Sequence, residues 1–178
     1  GFEWSQVGRS PDTHYGHKNV MFMGTADDEL PMRPIGAAGP ATEMIRGSAT
    51  ARVAMLGLVD TEHRAQYAEF GKFQRAIQNT PDCPEGVSSL ELPENCYEST
   101  VTPAGLYEKL DQWGFDTIII PHGSTWGFYT PPSTTFDKHL RTQGYDPEKQ
   151  KLIEIFSGHG NSEQYRDWRA IRYDKNGA

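Results

Sequence analysis

The sequence predicts an α/β fold in one domain, with mostly parallel strands and long loops. Three observations point there. Short apolar runs, Val20-Met21-Phe22-Met23 and Ile118-Ile119-Ile120, suit strands buried on both faces, as in a parallel sheet. A unit of capped helix, buried strand and Gly/His-bearing loop organises the second half of the chain. The 18 glycines and 12 prolines mark many turns and excursions between these units.

Phe2 to Val7 reads as a strand, followed by the turn-rich Gly8-Arg9-Ser10-Pro11-Asp12. Lys18 to Met23 is a second strand, and Ala26 to Pro40 a loop rich in Pro and Gly. The pattern from Ala41 to Val59 is ambiguous, with helical content around Ala51 to Leu58. Thr61 to Asn79 is the clearest helix. Asp60 or Thr61 caps it, and Tyr67, Phe70, Phe73 and Ile77 recur near one face, as an aromatic stripe packed into the core would. A Cys-bearing loop follows. Thr102 then caps a helix with Pro103 at its first position, Leu106, Leu110 and Trp113 on its apolar face, and Gly114 as its stop. Asp116 to Ile120 is a short strand ending at Pro121-His122-Gly123. A long aromatic loop, Trp126 to Phe136, leads to a short helix near Asp137 to Arg141, and Asp146-Pro147-Glu148 opens another helical turn. Leu152 to Phe156 is a strand ending in Ser157-Gly158-His159-Gly160-Asn161, and Ser162 caps a final helix to Ile171.

The net charge of −7 and pI near 5.3 argue against a nucleic-acid partner, which calls for a basic patch. No run approaches the roughly 20 apolar residues needed to cross a bilayer, so no membrane partner is expected. No signal-peptide pattern opens the chain. Gly1-Phe2-Glu3-Trp4-Ser5 reads like the middle of a strand, with a lone leading Gly of the kind a cleaved tag leaves. The start is therefore expected to be a cut one, and the lack of a signal says nothing about a parent protein. Cys83 and Cys96 flank a short Pro-rich loop. A disulfide there would stabilise the chain by roughly 3 kcal/mol and place it in an oxidising compartment, periplasmic or secreted. Two unpaired thiols are the alternative. The surroundings lack zinc-finger spacing, and no CxxC motif supports a redox role.

Parallel α/β folds gather ligands beyond the carboxyl ends of their strands. Two predicted strands end there in histidines, His122 and His159, and the first strand carries Glu3. One carboxylate and two imidazoles at one rim can hold zinc, manganese or iron. Each also has an ordinary reading: either histidine can be bonded within a turn, and Glu3 can be a surface carboxylate. His14 and His17 look like a ligand pair but fall in a predicted turn, where such pairs are mostly surface residues. His63 and His139 lie on predicted helices and are expected to face solvent. Glu154 alternates with Ile153 and Ile155, so it can point inward to support a ligand or form a structural salt bridge. Arg166 and Arg169 can bind an anion near the site or remain solvated helix charges.

Three strings resemble the domain-of-unknown-function 3604 family: Gly16-His17-Lys18-Asn19-Val20, the run from Ile120 to Tyr129, and the run from Ile153 to Glu163. That family is regarded as related to the PHP (polymerase and histidinol phosphatase) metal-dependent phosphoesterases, and the resemblance spans essentially the whole chain. It implies part of a PHP-like distorted (β/α)7 barrel, with residues 1–178 as its middle portion. It also implies metal ions at the carboxyl ends of the strands, with Glu3, His122 and His159 as ligands. His17, Glu154, Asn161, Trp126 and Arg166 would support the metal or the substrate. The early HxH pair and the late DxH of such enzymes are missing.

The expectation is thus a fragment of a metal-dependent hydrolase, phosphoesterase-like and inactive by itself, acting in its intact form on a small molecule such as a phosphate ester. In it, metal-activated water attacks, and the loop Trp126-Gly127-Phe128-Tyr129 forms a pocket wall or packs over the rim. The alternative is a non-catalytic binding module that keeps the fold. A partial barrel would leave strand edges uncovered, so a homo-oligomer is expected.

Overall fold

In a computed structural model of the chain, residues 1–47, 49–123, 130–140, 144–158 and 160–161 are described. Their strands and helices run β1 (Phe2–Gln6), β2 (Gly16–Phe22), β3 (Gly36–Ala37), α1 (Pro40–Gly47), α2 (Ala49–Val59) and α3 (Arg64–Asn79). There follow β4 (Ser99–Thr100), α4 (Pro103–Trp113), β5 (Thr117–His122), β6 (Phe156–Ser157) and β7 (Gly160–Asn161). Short 3-10 turns lie at Asp27–Glu29 and Asp137–Leu140. The predicted helix from Ser162 to Ile171 lies outside the described residues.

The central sheet corrects the predicted barrel. It has three strands in the order β1-β2-β5, and both pairings are antiparallel. No closed barrel forms among the described residues, and the parallel strand pair is β3 with β4, two residues long. Consecutive apolar residues report burial, not strand direction, and here they misled. Ile119 is fully buried, whereas Ile118 and Ile120 on the other face are only half-buried. That alternation belongs to an antiparallel sheet with one face on the core.

Leu152 to Phe156 is also corrected. Only Phe156–Ser157 is a strand, paired antiparallel with Gly160–Asn161, and Leu152, Ile153, Ile155 and Phe156 are exposed. The segment nevertheless follows β5 in the same direction. Ile119 N donates to Lys149 O at 2.9 Å, and Glu154 N donates to Pro121 O at 3.0 Å.

The core lies between the sheet and α4. Trp4, Val20 and Ile119 project from one sheet face to meet Leu106, Leu110 and Trp113 of α4, and Ile35, Ala37 and Tyr107 complete the cluster. Each buried Val, Leu or Ile of the cluster contributes about 1.5–3 kcal/mol by leaving water. Trp4 also donates its indole N–H to Thr100 Oγ1 at 3.1 Å, tying β1 to β4. Helix α4 forms where its local signals place it. Thr102 Oγ1 accepts from Gly105 N at 3.3 Å, and Gly114 closes the last turn at φ 74°, a conformation that favours glycine.

Helix α3 starts later than predicted, after a turn in which the Asp60 carboxylate accepts from His63 N and from the Tyr67 hydroxyl. Its predicted aromatic stripe is not core. Phe70 and Phe73 are 47% and 57% exposed, and the buried positions are Gly71 and Gln74. The helix turns its small face toward α2 and leaves the two rings stacked outside at 6.2 Å. Cys83 and Cys96 form a disulfide, their Cα atoms 4.8 Å apart. It closes the loop beside the backbone bonds Cys83 N to Tyr97 O and Tyr97 N to Pro81 O.

Candidate metal centre

The face of the central sheet turned away from α4 carries the site. Strand alternation puts Trp4, Lys18, Val20 and Ile119 on the core side and Glu3, Ser5, His17 and His122 on the other. Register then does the rest. His17 lies directly opposite His122, and their rings meet edge to face at 5.3 Å. Ser5 lies opposite His17, which makes Glu3 the diagonal neighbour of His17, within reach of its long side chain.

Glu3 Oε1 is 2.7 Å from His17 Nδ1, and Glu3 Oε2 is 3.8 Å from His122 Nε2. One ligand atom from each of the three residues falls within 4.8 Å of the others. On its far side, His122 Nδ1 lies 3.9 Å from Glu154 Oε1. Both histidines are nearly buried, while the Glu3 side chain is 40% exposed, so the cluster opens to solvent on the Glu3 side. Ser5 Oγ donates to Glu3 Oε1 at 2.6 Å and steadies the carboxylate.

A carboxylate with two imidazoles is a donor set for zinc, manganese or iron. In a tetrahedral zinc shell, bonds near 2.1 Å put neighbouring donors about 3.4 Å apart. The Glu3 to His122 separation is close to that spacing. The Glu3 to His17 separation is a hydrogen-bond distance and must widen slightly, which a rotation of the exposed Glu3 side chain allows. The donor types suit such an ion, and side-chain rotation has to close a spread of up to 4.8 Å around it.

No protein-family model, curated protein or solved structure matches this chain.

Two of the three expected ligands, Glu3 and His122, thus come together, and the third, His159, lies outside the described residues. So do Trp126, Arg166 and Arg169. Asn161 is on β7, opposite Phe156. Glu154 approaches His122 as a supporting carboxylate would. His17 corrects the reading of it as a turn residue: it is in β2, nearly buried and in contact with Glu3. The run of alternation backward from Val20 carries that signal.

His14 and His139 are corrected too, since both are fully buried. Each ends an Asp-X-His string, Asp12-Thr13-His14 and Asp137-Lys138-His139, so the DxH spacing expected to be missing does occur in the chain. Both lie near Lys18, a buried residue that sequence reasoning missed. Lys18 Nζ donates to Tyr15 O at 3.1 Å, lies 3.4 Å from His139 Nδ1 and sits 5.7 Å from the centroid of the Trp4 ring. Burial, then the Lys138 charge, pushes Lys18 down to about 7. Burial, with Lys18, Lys138 and His14 adding to it, pushes His139 down to about 2. His14 is lowered by burial and donates through Nε2 to Gly123 O at 3.2 Å. His63 alone of these faces solvent as expected, against Asp60.

A cavity of about 700 Å³ beside the disulfide lies away from the cluster. Arg46 and Lys109 in its lining pair with Asp82 and Glu98, so its prominent cations are already engaged. Among the described residues, no helix is long and apolar enough to cross a membrane.

Proposed function

We propose that this chain is the metal-bearing part of a phosphoesterase-like, metal-dependent hydrolase, with Glu3, His17 and His122 holding one zinc, manganese or iron ion. One observation carries the reading: a carboxylate and two imidazoles from three neighbouring strands gather on the open face of the sheet, their donor atoms within 4.8 Å. When bound, the ion would supply a water of lowered pKa and a charge that polarises a phosphoryl or carbonyl oxygen. Glu154 is proposed to orient His122 from the Nδ1 side, where its Oε1, 3.9 Å away, has to come closer to accept a hydrogen bond. Glu3 is the exposed member and meets a small-molecule substrate, such as a phosphate ester, first. His159 belongs to the proposal as a further ligand, and the chain by itself is proposed to be inactive. The Cys83–Cys96 bridge supports an oxidising compartment, periplasmic or secreted. Self-association through the outer edge of β1 is part of the same reading.

The test is calorimetric titration of the purified chain with zinc and with manganese. One equivalent is expected to bind, with affinity lost in His17→Ala and in His122→Ala and weakened at least tenfold in Glu3→Gln. A second reading is favoured by the 2.7 Å contact between Glu3 and His17, which satisfies both groups without an ion. There the cluster is structural and the chain is a non-catalytic binding module. Metal binding indifferent to all three substitutions would select it.

A further inference from the structure

Helices α2 and α3 pack side by side, and Arg64 Nε of α3 donates to Gly57 O of α2 at 3.0 Å. Between them lies a groove of about 400 Å³, bordered by Val53, Gly57 and Leu58 on one side and by Arg64, Gly71 and Arg75 on the other. That volume falls in the range of small-ligand sites, about 300–1,000 Å³.

Two independent features of the groove point to an occupant. Gly71 is buried, yet a Cβ built on it would meet nothing within 4 Å, so the groove beside it holds open space that no side chain fills. The charge there is also one-sided. Arg64, Lys72 and Arg75 line the groove, and its described lining includes no carboxylate. This row of cations runs against a net charge of −7, so it is not part of a generally basic surface.

An apolar floor with a cationic rim is complementary to a molecule with one apolar chain and one anionic head. We infer that the groove between α2 and α3 binds a single-chain amphiphilic carboxylate of the fatty-acid class. The chain lies along Val53, Gly57 and Gly71, and the head group faces Lys72 and Arg75. The site uses none of the residues of the metal centre, and the two stand or fall separately.

The experiment titrates the full chain with dodecanoate below its micellar concentration, in the presence of a chelator, by displacement of a dansyl-labelled undecanoate. Dodecyltrimethylammonium and 1-dodecanol serve as controls of the same chain length. Dodecanoate is expected to displace the probe at one equivalent, with both controls at least tenfold weaker. Gly71→Leu, which fills the space and improves helix propensity, should abolish binding while the circular dichroism spectrum is kept. Lys72→Glu with Arg75→Glu should weaken dodecanoate at least tenfold and leave 1-dodecanol unchanged. Equal binding of the cationic amphiphile, or unchanged binding in Gly71→Leu, would overturn the assignment. A wild-type dimer that Gly71→Leu disperses, without dodecanoate binding, would overturn it in favour of a second copy of the chain.

Discussion

His139 is held neutral in the fold because a proton there would be buried beside Lys18 and Lys138. Unfolded, it titrates near pH 6.5, so the unfolded chain takes up a proton that the folded chain refuses. The stability that depends on neutral His139 is therefore complete above pH 6.5 and is lost as pH falls toward 2, at about 1.4 kcal/mol per unit. Replacing it by Phe keeps the ring stacked on Phe136, now 4.7 Å away, and removes the titration. Urea denaturation at pH 7.5 and 5.5 should show the wild type losing about 1 kcal/mol more than His139→Phe between those values. Equal losses would show that His139 takes its proton in the folded chain. This histidine was read as surface because helical spacing alone does not reveal what packs over a short 3-10 turn.

Helix α4 is where local sequence and final structure agree most closely. Thr102, Pro103 and Gly114 each meet a requirement internal to the helix: an acceptor for Gly105 N, a first position that needs no N–H donor, and a left-handed closing residue. Thr102→Ala should lower unfolding stability by about 1 kcal/mol, and Thr102→Ser should leave it nearly unchanged. Denaturation curves of the two variants check this, and equal stabilities would mean that the cap contributes nothing. Helix α3 shows the opposite case. Its aromatic spacing is as regular as any core stripe, but the face turned toward α2 is the one with Ala68 and Gly71, and the rings are left outside. Periodicity named a face without saying which neighbour would claim it.

At the scale of the whole molecule, the disulfide closes the loop between α3 and β4 on itself. Separated by 13 positions, Cys83 and Cys96 close a loop whose constraint on the unfolded chain is worth about 3 kcal/mol. Cys83→Ser with Cys96→Ser should lose about that much in guanidinium denaturation, and the wild type in reductant should match the variant. A reduced chain as stable as the oxidised one would remove the bridge from any structural role. In the main sheet the decisive pairing is between strands distant in sequence. β2 and β5 pair across about a hundred residues. That pairing sets His17 against His122 and completes the candidate metal centre.

Requirements met by a residue and its near neighbours were therefore readable in advance: the start and stop of α4 and the strands β1, β2 and β5. Strand direction, the exposure of Phe70 and Phe73, and the burial of Lys18 and His139 were not. Each depends on which distant segment packs against which face, and a linear pattern of apolar residues is the same for either choice. Folding settles that choice through the pairing that buries Trp4, Val20 and Ile119 against α4, and this same pairing leaves the histidines gathered on the opposite side.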